Sequence, residues 1–217
     1  MKNRERIVNG DEFLVDIRTN TGVLEARSLN LDHDWGVLMC HPHPLFGGTM
    51  DNKVVTTVMR AARDAGLNTL RFNFRGVGKS TGTHDDGHGE QDDVLAALKY
   101  AKEELGWTKV ILAGFSFGAG MACLTAVNKP EWVNGLVLMA PAVHHFDAPM
   151  MLPHDFETWV LMGDADEVVP FREVDDWVSR VIPAPHFQIF TDGSHFFHGR
   201  LTALKQSFLT IIAELIA

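Results

Sequence analysis

Apolar residues in this chain come in short runs, separated by stretches with a helical rhythm. Residues 35–40 (WGVLMC), 109–113 (KVILA), 135–140 (GLVLMA) and 158–162 (TWVLM) are continuously apolar or nearly so. Such runs fit strands covered on both faces, as in a parallel sheet. Residues 68–74 (NTLRFNF) and 186–190 (HFQIF) read as two more strands. Residues 12–18 (EFLVDIR) and 23–29 (VLEARSL) alternate in part and flank Thr19-Asn20-Thr21-Gly22. That turn chemistry predicts an antiparallel pair at a sheet edge. Helical periodicity fills the gaps at about 52–65, 90–105, 117–127, 171–181 and 200–216. Gly66 ends the first of these as a helix stop. Acidic residues crowd the start of the second, where the helix dipole favours them. Eight strands alternating with helices predict an α/β fold, with a mainly parallel sheet and helices on both faces. No repeat, linker or low-complexity segment divides the chain, so one domain over residues 1–217 is expected.

The strongest chemical signal is Gly114-Phe115-Ser116-Phe117-Gly118. It has the G-x-S-x-G pattern, with an apolar strand running in and a small-residue helix running out. A strand-to-helix turn this sharp strains the serine backbone and lifts its hydroxyl to the carboxyl edge of the sheet. Side chains in place of the two glycines would collide with the adjoining elements.

A serine hydroxyl is a weak nucleophile until a positioned base takes its proton, and that base needs a carboxylate to orient it. In strand-alternating folds with this elbow the order is serine, acid, histidine, so partners are sought after position 116. The loop after 158–162 offers two acids, Asp164 and Asp166, in GDADEVVP. The loop after the last strand offers His195, with His198 as the alternative, in DGSHFFHG. An acyl-transfer site also needs donors aimed at the developing oxyanion. The N–H of Phe117 is one. The second is expected from the loop His41-Pro42-His43-Pro44-Leu45-Phe46-Gly47-Gly48. Its prolines carry no N–H, which leaves His43 or Leu45.

On these residues the chain resembles the α/β-hydrolase superfamily over nearly its whole length. It is most similar to small lidless bacterial serine hydrolases, the dienelactone hydrolase-like and serine peptidase-like esterase group. The segments that carry the resemblance are HPHPLFGGTMDNKVV, RFNFRGVGKSTG, GFSFGAG, GDADEVVP and DGSHFFHG. The resemblance implies Ser116 as nucleophile, Asp166 rather than Asp164 as acid, and His195 as base. It implies a structural role for Arg75. Two features depart from the pattern. His41-Pro42 stands where His-Gly is usual, and serine occupies an elbow where dienelactone hydrolases have cysteine. Lids in this superfamily follow the sixth strand, and here only about 17 residues fill that space. A shallow, open site is therefore expected, bordered by Leu45, Phe46, Phe115, Phe117, Met150, Met151 and Phe196.

Composition narrows the remaining choices. The 217 residues carry 19 basic and 28 acidic side chains, a formal charge of −9. That balance argues against nucleic acid as a partner, since phosphate binding needs clustered lysine and arginine. The sequence MKNRERIVNGDEF has no apolar core of a signal peptide, and no apolar stretch approaches the length of a membrane span. Cys40 and Cys123 sit in apolar runs, as buried reduced thiols do. A cytoplasmic enzyme without cofactor or metal is expected, acting on a small acyl substrate as a monomer or homodimer. Three other readings compete: a peptidase or amidase with the same triad, a non-catalytic binding module, and a metal protein using the histidine-rich loops. No histidine spacing matches a tetrahedral template. Gly76-Val77-Gly78-Lys79-Ser80 is not a phosphate loop, because Asn73 stands where its first glycine is required.

Overall fold

The computed structural model describes residues 12–217. Most of the N-terminal stretch read as lacking a leader lies outside the described residues. The chain forms β1 (Phe13–Arg18), β2 (Val23–Leu29), β3 (Trp35–Cys40), α1 (Lys53–Asp64), β4 (Asn68–Phe72), α2 (His88–Glu103) and β5 (Lys109–Phe115). It continues through α3 (Phe117–Asn128), β6 (Gly135–Met139), β7 (Thr158–Gly163), α4 (Phe171–Val178), β8 (His186–Phe190) and α5 (Leu201–Ile216). The eight strands make one sheet in the order β1-β2-β4-β3-β5-β6-β7-β8. β1 pairs antiparallel with β2, and β2 with β4. All later pairings are parallel. The first turn closes with the Thr19 N–H donating to the Gly22 carbonyl at 2.8 Å.

The continuous apolar runs became central strands for the reason the pattern gave. Every residue of β3, β4 and β6 is buried, and in β5 only Lys109 is exposed. Each buried aliphatic side chain contributes about 1.5–3 kcal/mol. The predicted edges shift by a few residues. α4 is the largest change: it ends at Val178 rather than 181, in a turn where the Val181 N–H donates to the Trp177 carbonyl. β4 stops at Phe72, although the Asn73 N–H still donates to the Glu25 carbonyl of β2 at 2.8 Å. The Asn73 side chain accepts from the Met50 N–H and donates to Glu25.

Because the sheet is parallel from β4 onward, its carboxyl ends share one edge. The loops after β3, β5, β7 and β8 emerge there side by side. Residues 140–157, between β6 and β7, form turns and contain no helix, so there is no lid. Among the described residues no helix is long and apolar enough to cross a membrane.

Candidate active site

Ser116 ends β5 and opens α3 with φ 55° and ψ −117°, left-handed backbone that costs a residue with a side chain on the order of 1–3 kcal/mol. Three packing facts hold it there. The Ser116 N–H donates to the Met139 carbonyl of the neighbouring strand at 2.9 Å. A Cβ on Gly114 would lie 2.2 Å from the Gly118 carbonyl oxygen, and one on Gly118 would lie 2.4 Å from the His41 carbonyl oxygen. Only a backbone without side chains at those two positions lets β5, α3 and the loop after β3 come this close.

The hydroxyl meets an imidazole. Ser116 Oγ lies 3.1 Å from His195 Nε2, and His195 Nδ1 lies 2.8 Å from Asp166 Oδ2. Asp166 Oδ1 accepts the N–H groups of Val168 and Val169 at 2.8 and 2.7 Å. One carboxylate oxygen thus fixes its own loop while the other faces the ring. With Nδ1 donating to that carboxylate, Nε2 is free to accept the serine proton. His195 is 2% exposed. Its ring packs between Phe115 at 4.9 Å and Phe196 at 5.0 Å. The alternatives sit apart from this line. Asp164 accepts the Asp192 N–H, tying the two loops together, and His198 is exposed, with its N–H on Ser194 Oγ.

Two contacts that bring the loops together had not been anticipated. Glu167 Oε2 accepts the His195 N–H at 3.0 Å. A Cβ on Gly163 would lie 2.1 Å from the Gly193 carbonyl oxygen. Glu167 carried no signal beyond its place beside Asp166. The glycine at the end of a strand was the visible clue for Gly163.

The loop after β3 makes several hydrogen bonds of its own. The Leu45 N–H donates to His43 Nδ1 at 3.2 Å, so it is already engaged. Phe46 and Gly48 donate to the His43 carbonyl. Among the described residues, no hydrogen bond occupies the N–H of His43 or of Phe117. Of the two expected donors, the Leu45 N–H has a partner within its own loop, and the His43 N–H has none among the described residues. The Gly118–His41 backbone contact sets the first turn of α3 against this same loop.

The predicted rim needs correction. Phe115 is fully buried and serves as a platform for the His195 ring. Met150 and Met151 are exposed as expected, on a segment that bonds to Ile182, beyond the C-terminal end of α4. Trp177 Nε1 holds it there through the Pro149 carbonyl. Leu45, Phe46 and Phe196 are exposed beside the residues expected to act. Phe117 is largely buried, its ring 4.7 Å from that of His43.

His41 sits at the start of the loop after β3. It is fully buried, with Nδ1 on the Pro42 carbonyl and Nε2 accepting the Phe74 N–H at 3.0 Å. Burial lowers its pKa to about 4 from 6.5. The unfolded chain therefore takes up this proton first as pH falls. The contribution of His41 to stability is complete above about 6.5 and is lost between there and 4, a loss of about 3 kcal/mol. Measured across that window, the wild-type unfolding free energy should fall by about this much more than that of His41→Asn.

The metal reading finds no support in the geometry. Both nitrogens of His41 are engaged, and His84 Nδ1 lies 2.9 Å from the buried Glu90 carboxylate. Among the described residues, no three His, Cys, Asp or Glu side chains group as metal ligands. Both cysteines are buried, and burial pushes their thiol pKa values up, that of Cys123 to about 12. Neither is a nucleophile at neutral pH.

Comparison with known proteins gives a consistent picture. Residues 38–205 match the alpha/beta hydrolase fold family. A solved alpha-beta serine hydrolase homologue from Coxiella burnetii is 37% identical, with TM-score 0.85 over 95% of this chain and 99% of that one. A lidless alpha/beta serine hydrolase from Xanthomonas campestris is 31% identical, with TM-score 0.85 over 95% of each chain. An uncharacterised protein of Rickettsia prowazekii is 36% identical over 169 residues, 74% of this chain and 71% of that protein.

Proposed function

Because this chain belongs to the alpha/beta hydrolase fold family, we propose that it is a serine hydrolase cleaving small ester or thioester substrates through an acyl-enzyme on Ser116. The observation that carries this reading is the unbroken line from Asp166 Oδ2 through His195 to Ser116 Oγ, with contacts of 2.8 and 3.1 Å. As Oγ attacks the acyl carbon, its proton passes to His195 Nε2, and the carbonyl oxygen becomes an oxyanion facing the N–H groups of Phe117 and His43. Collapse breaks the bond to the leaving group, which takes the proton from Nε2. Water then repeats the sequence, releasing the acid and restoring the serine. Asp166 stays ionised throughout and stabilises the imidazolium.

A fluorophosphonate probe tests the reading. It should label Ser116 and block turnover of p-nitrophenyl acetate, and Ser116→Ala should abolish both. An unlabelled wild-type protein would instead support the binding-module reading. Labelling with activity on amides alone would favour the peptidase.

A further inference from the structure

Beside the nucleophile, an open cleft of about 540 Å³ runs along the outer face of α3. Its floor is Phe117, Met121 and Leu124, residues at i, i+4 and i+7 that share one helical face. Seven residues of helix span about 10 Å. Ala142 lies at the inner end, where its N–H approaches the Ser116 carbonyl at 3.5 Å. At the outer end Asn128 donates to Gln91 Oε1, and Gln91 in turn donates to the Gly87 carbonyl. The cleft thus starts at Phe117, the residue that follows the nucleophile, and runs outward to Gln91.

Two glycines give the cleft its walls. A Cβ on Gly120 would lie 2.7 Å from the Phe146 ring, so that ring rests on helix backbone and holds the loop after β6 over α3. Gly87, at φ +91°, brings the start of α2 within contact of the Met121 methyl. The rim carries His144, His145, Asp86 and Asp147. Burial holds the His144 imidazole below its ordinary pKa. The rim therefore sets His144, held toward its neutral form, beside the acidic side chains of Asp86 and Asp147.

We propose that this cleft is the acyl subsite, and that it takes neutral straight chains of medium length, about hexanoyl to octanoyl. The inference rests on the serine hydrolase reading. The leaving group must sit against His195 Nε2 to receive its proton, on the side of Phe196. The acyl substituent then points away from His195, and the cleft over α3 is the apolar channel open to it. A carboxylate at the chain end would meet Asp86 and Asp147, so charged acyl groups are disfavoured.

The test is kcat/KM for p-nitrophenyl esters from acetate to decanoate, with the p-nitrophenyl monoester of succinate as the charged member. The wild type should peak at hexanoate or octanoate and act poorly on the succinate. Leu124→Trp fills the outer part of the channel and should lower the octanoate-to-acetate ratio by roughly tenfold or more. Leu124→Ala lengthens the channel and should move the peak to longer chains. A ratio and peak unmoved in both variants overturn the inference, as does a wild type that prefers succinate. Wild-type protein that neither labels with the fluorophosphonate nor turns over any ester rejects the hydrolase reading itself.

Discussion

Replacing Ser116 with alanine is expected to lower kcat for p-nitrophenyl acetate by roughly 10⁶-fold, without unfolding the protein. The side chain has one polar contact, the 3.1 Å approach to His195 Nε2, so its loss opens no void and leaves no buried charge. His195→Ala should cost about as much. The double variant should be little worse than either, because the two groups act as one unit. Asp166→Asn should cost less, roughly 10⁴-fold. Its retained oxygen still holds the N–H groups of Val168 and Val169, but an amide beside Nδ1 favours the wrong tautomer. Asp164→Asn serves as the contrast. Among the described residues the Asp164 side chain accepts only a backbone N–H, from Asp192, so the change should move kcat little. Equal losses in the two asparagine variants would show that the relay does not run through Asp166.

The largest stability effect is expected at Asp93. Its carboxylate is 1% exposed and sits in the second turn of α2. It accepts from the Arg75 backbone N–H at 2.9 Å and from Arg75 Nη2 at 2.8 Å. This pair fastens the loop after β4 to α2, the structural role expected for Arg75. Asp93→Ala leaves a mostly buried guanidinium whose remaining ion pair is with Asp85 at 4.0 Å, with Glu90 and Asp92 acting on it from farther off. Breaking a buried pair from one side costs roughly 3–5 kcal/mol, visible as a lower urea midpoint at unchanged slope. The double variant Asp93→Leu with Arg75→Met removes both charges and should recover much of the loss. If it does not, the backbone bond from Arg75 matters more than the charge pair. Gly89 belongs to the same arrangement. A Cβ there would lie 1.7 Å from Arg75 Nη1, so Gly89→Ala should also destabilise, by displacing the guanidinium.

The aromatic packing explains how an open site keeps its base in one position. With no lid, water has access to the rim, and Leu45 and Phe46 remain exposed. His195 is nonetheless nearly enclosed, with Phe115 below and Phe196 at its edge. Rotation of the imidazole is blocked by these rings and by the two anchors on its own residue, Asp166 at Nδ1 and Glu167 at the backbone N–H.

Local pattern made the fold and the nucleophile legible in the chain. Continuous apolar runs such as GVLMC and KVILA leave few options besides covered parallel strands. The glycines around Ser116 announce a turn that other residues would obstruct. These are properties of neighbouring residues, and a linear sequence records neighbours. The tertiary structure alone decided what depends on approach between distant segments. It buried His41 through a bond to Phe74, 33 positions away, and engaged the Leu45 N–H while leaving that of His43 open. It turned Phe115 inward beneath His195 and joined the segment of Met150 and Met151 to Ile182. Side-chain type limits what each of these groups can do. Which partner it meets depends on how the loops leave the sheet edge and pack together, and no local spacing encodes that.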